Sequence, residues 1–264
     1  MNPLNQAAAS TFQDVRFVLT DMDETLTYRG RLAACTYEAL ERLQDAGVIV
    51  VPVTAAPAGW CDQMARMWPV DGVIGENGGF FFEREAGGHG IRRSFWHRGE
   101  ERAIVAGRLA QIGDRVRKTV TSAIFAEDQS FRQTSIAFAR SGDAQTEADI
   151  VAELRKEGVD VTVNNLWILG WLGGYDKLAM ARRVLFERYG LDIDSERNAV
   201  LYVGDSTNDA PMFAFFHHTV GVSTVTEYLH EIPVPPRWIS EGPGGIGFVE
   251  VASAVIVAKR ICPA

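Results

Sequence analysis

Blocks of β-branched and aromatic residues alternate along the chain with stretches in which apolar positions return every three or four residues. These are the periods of strand and helix. Residues 15–20 (VRFVLT) predict a buried strand, 31–46 a helix stopped at Gly47, and 48–53 a second strand. Pro52 is tolerable in that strand because it stands close to its end. Residues 58–68 predict a helix halted at Pro69, 70–74 a third strand, and Glu76-Asn77-Gly78 a polar turn. The βαβαβ order implies a doubly wound parallel sheet.

From Phe80 the rhythm changes. FFFERE and IRRSFW flank the glycine-rich AGGHG, which predicts a hairpin. A helix over 100–116, strands at 122–125 and 134–139, a helix over 146–156 and strands at 159–163 and 166–171 follow. The alternating pattern then resumes. Helix 175–189 closes at Gly190, and strand 199–203 runs into GDSTND. A short helix at 211–216, strands at 219–222 and 237–239 and a helix over 248–260 finish the chain. The expected fold class is α/β, a doubly wound, Rossmann-like parallel sheet interrupted by an α+β cap. The core comprises 1–89 and 173–264, with the cap at 90–172 between them. The alanines at 7–9 predict a loose terminus.

At 264 residues there is room for one large domain or two. A composition of 47% hydrophobic and 23% charged residues is that of a globular protein. The formal net charge of −8 argues against nucleic acid as a partner, whose binders are usually basic. No apolar run approaches the roughly 20 residues of a membrane span, so no membrane partner is expected. The N-terminal segment has neither the basic start nor the apolar core of a signal peptide. Three widely spaced cysteines, Cys35, Cys61 and Cys262, fit neither a disulfide framework nor a zinc site. The expected location is the cytoplasm. Nothing in the composition fixes the oligomeric state.

The chemistry gathers at predicted strand ends. Asp21 and Asp23 follow the first strand, with Thr25 beside them; Thr54 follows the second, and Gly204-Asp205 a later one. In open parallel sheets ligands bind at these carboxyl ends. A carboxylate nucleophile, a second acid, a hydroxyl, a lysine at Lys177 and a distant carboxylate suggest phosphoryl transfer. Mg²⁺ favours such oxygen ligands. Taken alone, Asp-x-Asp with a Thr also reads as a capped turn.

DMDETL, Thr54, Lys177 and GDSTND together resemble the four motifs of the haloacid dehalogenase superfamily of phosphohydrolases, type IIB, with its α/β cap. GWLGGYDK is similar to the segment of the sugar-phosphatase and mannosylphosphoglycerate-phosphatase branch. The resemblance implies Asp21 as nucleophile and Asp23 as general acid and base. Thr54, Lys177 and Asn208 would bind phosphate; Asp21, Asp23 and Asp205 would hold Mg²⁺. Asp209, Asn77 and Ser206 would support them, with Glu76-Asn77-Gly78 beside the site. The implied partner is a small phosphate ester, a sugar phosphate above all. Two departures stand out: Glu24 replaces the usual glycine, and Thr54-Ala55-Ala56 replaces Thr-Gly-Arg. They bear on substrate anchoring, not on the type of reaction.

An insertion that enters and leaves the core at the active-site edge is placed to act as a lid. Asn164, Asn165, Trp171 and Tyr175, near the junction, are candidate leaving-group contacts. Trp96, Trp167 and Trp171 could stack on a sugar but read first as core packing. GPGGIG at 242–247 imitates a dinucleotide fingerprint but precedes no βαβ unit, so it reads as a turn. His217-His218 reads as a solvated pair. Two alternatives to a phosphatase remain: a phosphomutase of the same family, and a phospho-accepting signalling receiver. A receiver has no use for a general acid such as Asp23, and it carries its acceptor on a different strand.

Overall fold

The computed structural model describes residues 1–164 and 166–261, the side chain of Ile261 apart. In chain order the elements are β1 (Asn2–Pro3), β2 (Phe17–Thr20), β3 (Thr27–Tyr28), β4 (Arg31–Leu32), α1 (Ala34–Asp45), β5 (Ile49–Pro52), α2 (Ala58–Met67), β6 (Val73–Gly75), β7 (Phe80–Arg84) and β8 (Ile91–Phe95). The cap contributes α3 (Gly99–Thr119), β9 (Ser135–Ala139), α4 (Ala144–Lys156), β10 (Asp160–Val163) and β11 (Trp167–Trp171). The core resumes with α5 (Lys177–Tyr189), β12 (Val200–Gly204), α6 (Ala210–Phe215), β13 (His218–Gly221), β14 (Trp238–Ile239) and α7 (Gly244–Ile261).

The main sheet has six strands in the order β1-β14-β13-β12-β2-β5, every pairing parallel. Successive side chains on a strand face opposite ways, and both faces are apolar here. Val18, Val50, Leu201 and Val203 pack on one side with Leu40, Leu43, Met64 and Phe248. Leu19, Val51, Val200 and Tyr202 pack on the other with Met180, Leu185, Met212 and Phe213. Helices α1, α2 and α7 therefore cover one face, and α5 and α6 the other. This is the doubly wound arrangement, with β2 central between β5 and β12.

Several expectations are corrected. The terminus is not loose: Asn2–Pro3 pairs with Trp238–Ile239, and Leu4 and Phe12 are buried in the core. Helix α1 starts at Ala34 rather than 31, because Arg31–Leu32 pairs back on Thr27–Tyr28. Strand β6 is not in the main sheet. It joins an antiparallel sheet β6-β7-β8 and touches the main one through a single parallel bridge, Val53 to Ile74. The strand expected at 122–125 is a single bridge, Phe125 to Phe138. Helix α5 starts at Lys177, since Gly173 and Gly174 hold positive φ and Asp176 caps it, accepting the Ala179 N–H at 2.6 Å. Helix α7 begins within the GPGGIG segment at Gly244, and Glu250 accepts the N–H groups of Glu241 and Gly242 (2.9 and 2.7 Å). Of the histidine pair, His217 is solvated, whereas His218 is partly buried against Phe12.

The cap is a three-stranded antiparallel sheet, β10-β11-β9, backed by α3 and α4 over its own cluster of Leu109, Ile112, Val116, Phe138, Ile150 and Leu154. The expected boundary at 90 falls just before β8, whose Ile91 and Phe95 pack with the core. The two connecting strands of chain are held together where His97 Nε2 meets the Leu172 carbonyl at 2.8 Å.

Candidate active site

Three neighbouring strands deliver the site. Strand β2 ends into Asp21 and Asp23, β5 into Thr54 and β12 into Asp205, all at the carboxyl edge of the sheet. Asp21 N–H donates to the Val203 carbonyl (2.8 Å), which fixes the nucleophile loop to β12. From the other side, the Asp176 cap sets Lys177 at the first turn of α5. Its Nζ donates to Asp21 Oδ1 and Asp209 Oδ1, both at 2.7 Å. All three side chains are buried.

Asp209 is saturated. It accepts from Lys177, the Tyr202 hydroxyl and the N–H groups of Asp205 (3.0 Å) and Ser206 (3.2 Å). Ser206 completes a capping box with it. Gly204 is required at this point, because a Cβ there would come within 2.5 Å of Asp209 Oδ2. Asp205 Oδ1 accepts the Thr25 hydroxyl at 2.7 Å. The Thr54 hydroxyl accepts Ala56 N–H at 3.0 Å, leaving its own proton to donate. Asn208 Oδ1 accepts from the Ser206 hydroxyl at 2.8 Å, so its amide NH₂ remains to donate.

Asp21, Asp205 and Asp209 each bring a carboxylate oxygen within 4.8 Å of the others. Three carboxylates share one lysine. Burial, opposed by Lys177 and reinforced by Asp209, pushes Asp21 up to about 7. Burial and then Asp21 push Asp205 well above its ordinary value. Lys177 is raised: burial works against its charge, but Asp209 and Asp21 outweigh it. An all-oxygen donor set with surplus negative charge fits Mg²⁺. The Asp23 carboxylate lies outside this cluster. It lines the cavity, and burial followed by the charge of Glu24 raises it to about 6.

The cavity here encloses about 220 Å³, and Asp21, Asp23, Thr54, Asp205, Ser206 and Asn208 are among its lining residues. From the cap, Asn164 also lines it, while its side chain accepts the N–H groups of Leu166 and Trp167. Asn165 lies outside the described residues. Trp171 and Tyr175 do not face the cavity. The Trp171 indole donates to the Tyr175 carbonyl (2.8 Å) and the Tyr175 hydroxyl to the Thr134 carbonyl (3.0 Å), so both stitch cap to core. Asn77 holds left-handed backbone (φ 58°) and donates its N–H to the Thr54 carbonyl at 3.0 Å, bracing that loop.

Two residues have roles that the sequence does not show: Glu76, expected only to lie beside the site, and Arg132. Glu76, beside Asn77, is buried and accepts five hydrogen bonds. They come from Ala58 N–H, Gln133 N–H, Thr134 N–H and the hydroxyls of Thr134 and Ser135, at 2.7–3.0 Å. Arg132 of the cap is buried, bidentate to Asp128 (2.9 and 2.7 Å), and donates to the Ala55 carbonyl at 3.1 Å. An arginine thus reaches the Thr54-Ala55-Ala56 loop after all, from the cap. The only sequence signal is the Asp128–Arg132 spacing.

No family model matches the chain. It is similar to phosphoglycolate phosphatase of Thermoplasma volcanium, 29% identical over 203 residues, covering 75% of this chain and 81% of the relative. Among solved structures, a protein of Thermoplasma acidophilum superposes with TM-score 0.72 at 20% identity, covering 92% of this chain and 99% of that one. A haloacid dehalogenase-like hydrolase from Bacteroides thetaiotaomicron gives 0.68 at 16% identity (91% and 99%). Sucrose-phosphatase from Synechocystis, in complex with sucrose and phosphate, gives 0.65 at 14% (90% and 97%). The chain thus shares the fold of these structures over nine-tenths of its length, with the four sequence motifs drawn to one edge of its sheet.

Proposed function

We propose that the chain is a Mg²⁺-dependent phosphomonoesterase that acts on a small phosphorylated metabolite through an aspartyl-phosphate at Asp21. The observation that carries this reading is the convergence of Asp21, Lys177, Asp205 and Asp209 beside a small cavity that Asp23 also lines. Lys177 holds Asp21 Oδ1, which leaves the second carboxylate oxygen to attack phosphorus. Asp23 protonates the departing alcohol oxygen, then takes the proton of the water that hydrolyses the acyl phosphate. The Thr54 hydroxyl and Asn208 amide orient the phosphoryl oxygens, and the Lys177 ammonium offsets their charge. Asp21 and Asp205 would hold the Mg²⁺, which supplies further charge neutralisation when bound.

Sugar phosphates belong in the panel of esters, in keeping with the motif resemblance and with sucrose-phosphatase among the similar structures. A cytoplasmic setting accords with the free thiols of Cys35 and Cys61. The deciding experiment follows phosphate release from a panel of phosphate esters with Mg²⁺, with and without EDTA. Metal-dependent release that Asp21→Asn abolishes is expected; release by the Asn variant at the wild-type rate would refute the nucleophile.

A further inference from the structure

The cavity around Asp21 is small, about 220 Å³, and it adjoins a far larger one. Asp23, Gly30 and Leu166 line both. The second cavity encloses about 750 Å³ between α2, the β3–β4 hairpin and the cap. Its wall is built from Leu32, Trp60, Met64, Trp68, Leu166 and Trp167. Trp60 and Trp167 meet edge to face at 6.2 Å, and Trp60 and Leu166 keep 41% and 46% of their surface exposed. The charged residues on this wall are Asp23, Glu127 and Asp128, all acidic, and Asp128 is held by Arg132. Among the described residues, Gln63 and Thr27 are the other polar side chains there.

The position of Asp23 gives this wall a chemical meaning. A general acid must lie at the oxygen that departs, so the alcohol extends from Asp23 away from phosphorus. Beyond Asp23 lies the apolar groove. Among the described residues, a polyol placed there would lose hydrogen bonds to water with few partners to replace them, and a carboxylate would meet Asp23 and Glu127, with the Arg132 cation already paired to Asp128. Resting on the phosphatase reading above, we propose that the substrate is the phosphomonoester of an uncharged alcohol with an extended apolar or aromatic body, which lies against Trp60 and Trp167. The chain would then differ in leaving group from its phosphoglycolate phosphatase relative.

The test compares kcat/KM with Mg²⁺ for methyl, butyl and 3-phenylpropyl phosphate, glucose 6-phosphate and 2-phosphoglycolate. Each added methylene is expected to raise kcat/KM about fourfold, with the phenylpropyl ester above both the sugar and the glycolate esters. Trp60→Ala should lower the phenylpropyl-to-methyl ratio by about tenfold, and Trp60→Phe should restore most of it. A flat alkyl series, or glucose 6-phosphate or phosphoglycolate as the best ester, overturns the groove assignment while the phosphatase reading stands. Silence of every ester overturns the phosphatase reading instead. The groove is then judged separately by titrating 3-phenylpropan-1-ol against indole fluorescence. Saturable quenching lost in Trp60→Ala supports the groove; its absence in the wild type overturns it.

Discussion

Glu24 carries a cost that a glycine at the same place would not. Its φ of 57° is left-handed, a conformation that disfavours side chains by about 1–2 kcal/mol. The turn is therefore bent as a glycine would bend it, and the carboxylate is held in place by accepting Arg29 N–H at 2.8 Å. That pins one negative charge beside Asp23. Charge repulsion from Glu24 favours protonated Asp23, so removing it must lower the Asp23 pKa. Glu24→Gln is expected to bring Asp23 below its value of about 6 in metal-free protein. Carbon-13 NMR titration of the carboxyl measures this, and an unchanged midpoint would remove Glu24 from the electrostatics of the site. The nucleophile is tested more directly. Asp21→Asn keeps the side-chain shape and should leave the fold intact while turnover falls to background, since a neutral amide does not attack phosphorus.

Among the elements, the strand ends are what the sequence made legible. A buried parallel strand is a short apolar block, and the residue after it is polar only when something is built there. Asp21, Thr54 and Asp205 all stood out on that ground, and they converge. The cap–core joint was not legible, because its meaning lies in partners far apart in sequence. Glu76 in a polar turn looks like any exposed acid, yet it ties α2 to the loop before β9 through residues 57 to 59 positions away. Gly79 belongs to the same joint: a Cβ there would come within 2.0 Å of the Thr134 hydroxyl. Glu76→Gln presents an NH₂ to donors that need an acceptor. It should destabilise the protein by about 3 kcal/mol, read from chemical denaturation. A loss below about 0.5 kcal/mol, the range of ordinary surface substitutions, would mean the joint is held by packing alone. Trp171 and Tyr175 are candidate leaving-group contacts only by their nearness to the junction in sequence. They form the inner side of that joint instead, since large aromatic surfaces are stabilised by burial.

At the scale of the whole molecule, the fold concentrates charge where the sheet would otherwise be sealed. Asp21, Asp205 and Asp209 face one Lys177 in a buried pocket, two negative charges in excess whenever all three are ionised, within a chain whose net charge is already −8. Crowded carboxylates oppose folding unless a cation joins them, so metal binding and stability are coupled. Stripping the protein with EDTA should lower Tm, and Mg²⁺ should raise it in a concentration-dependent way. At a hundredfold excess over Kd the gain is about 2.7 kcal/mol, or roughly 5–10 °C for a chain of this size. Asp205→Asn separates this from a general salt effect. The amide oxygen still accepts from Thr25, so the fold keeps that contact, while one surplus charge and one ligand disappear together. The metal-free variant should therefore melt at or above the metal-free wild type, gain little from Mg²⁺, and need far more of it for activity. A wild-type Tm indifferent to both EDTA and Mg²⁺, or an Asn variant that responds to the ion as the wild type does, would contradict a metal centre at Asp21 and Asp205.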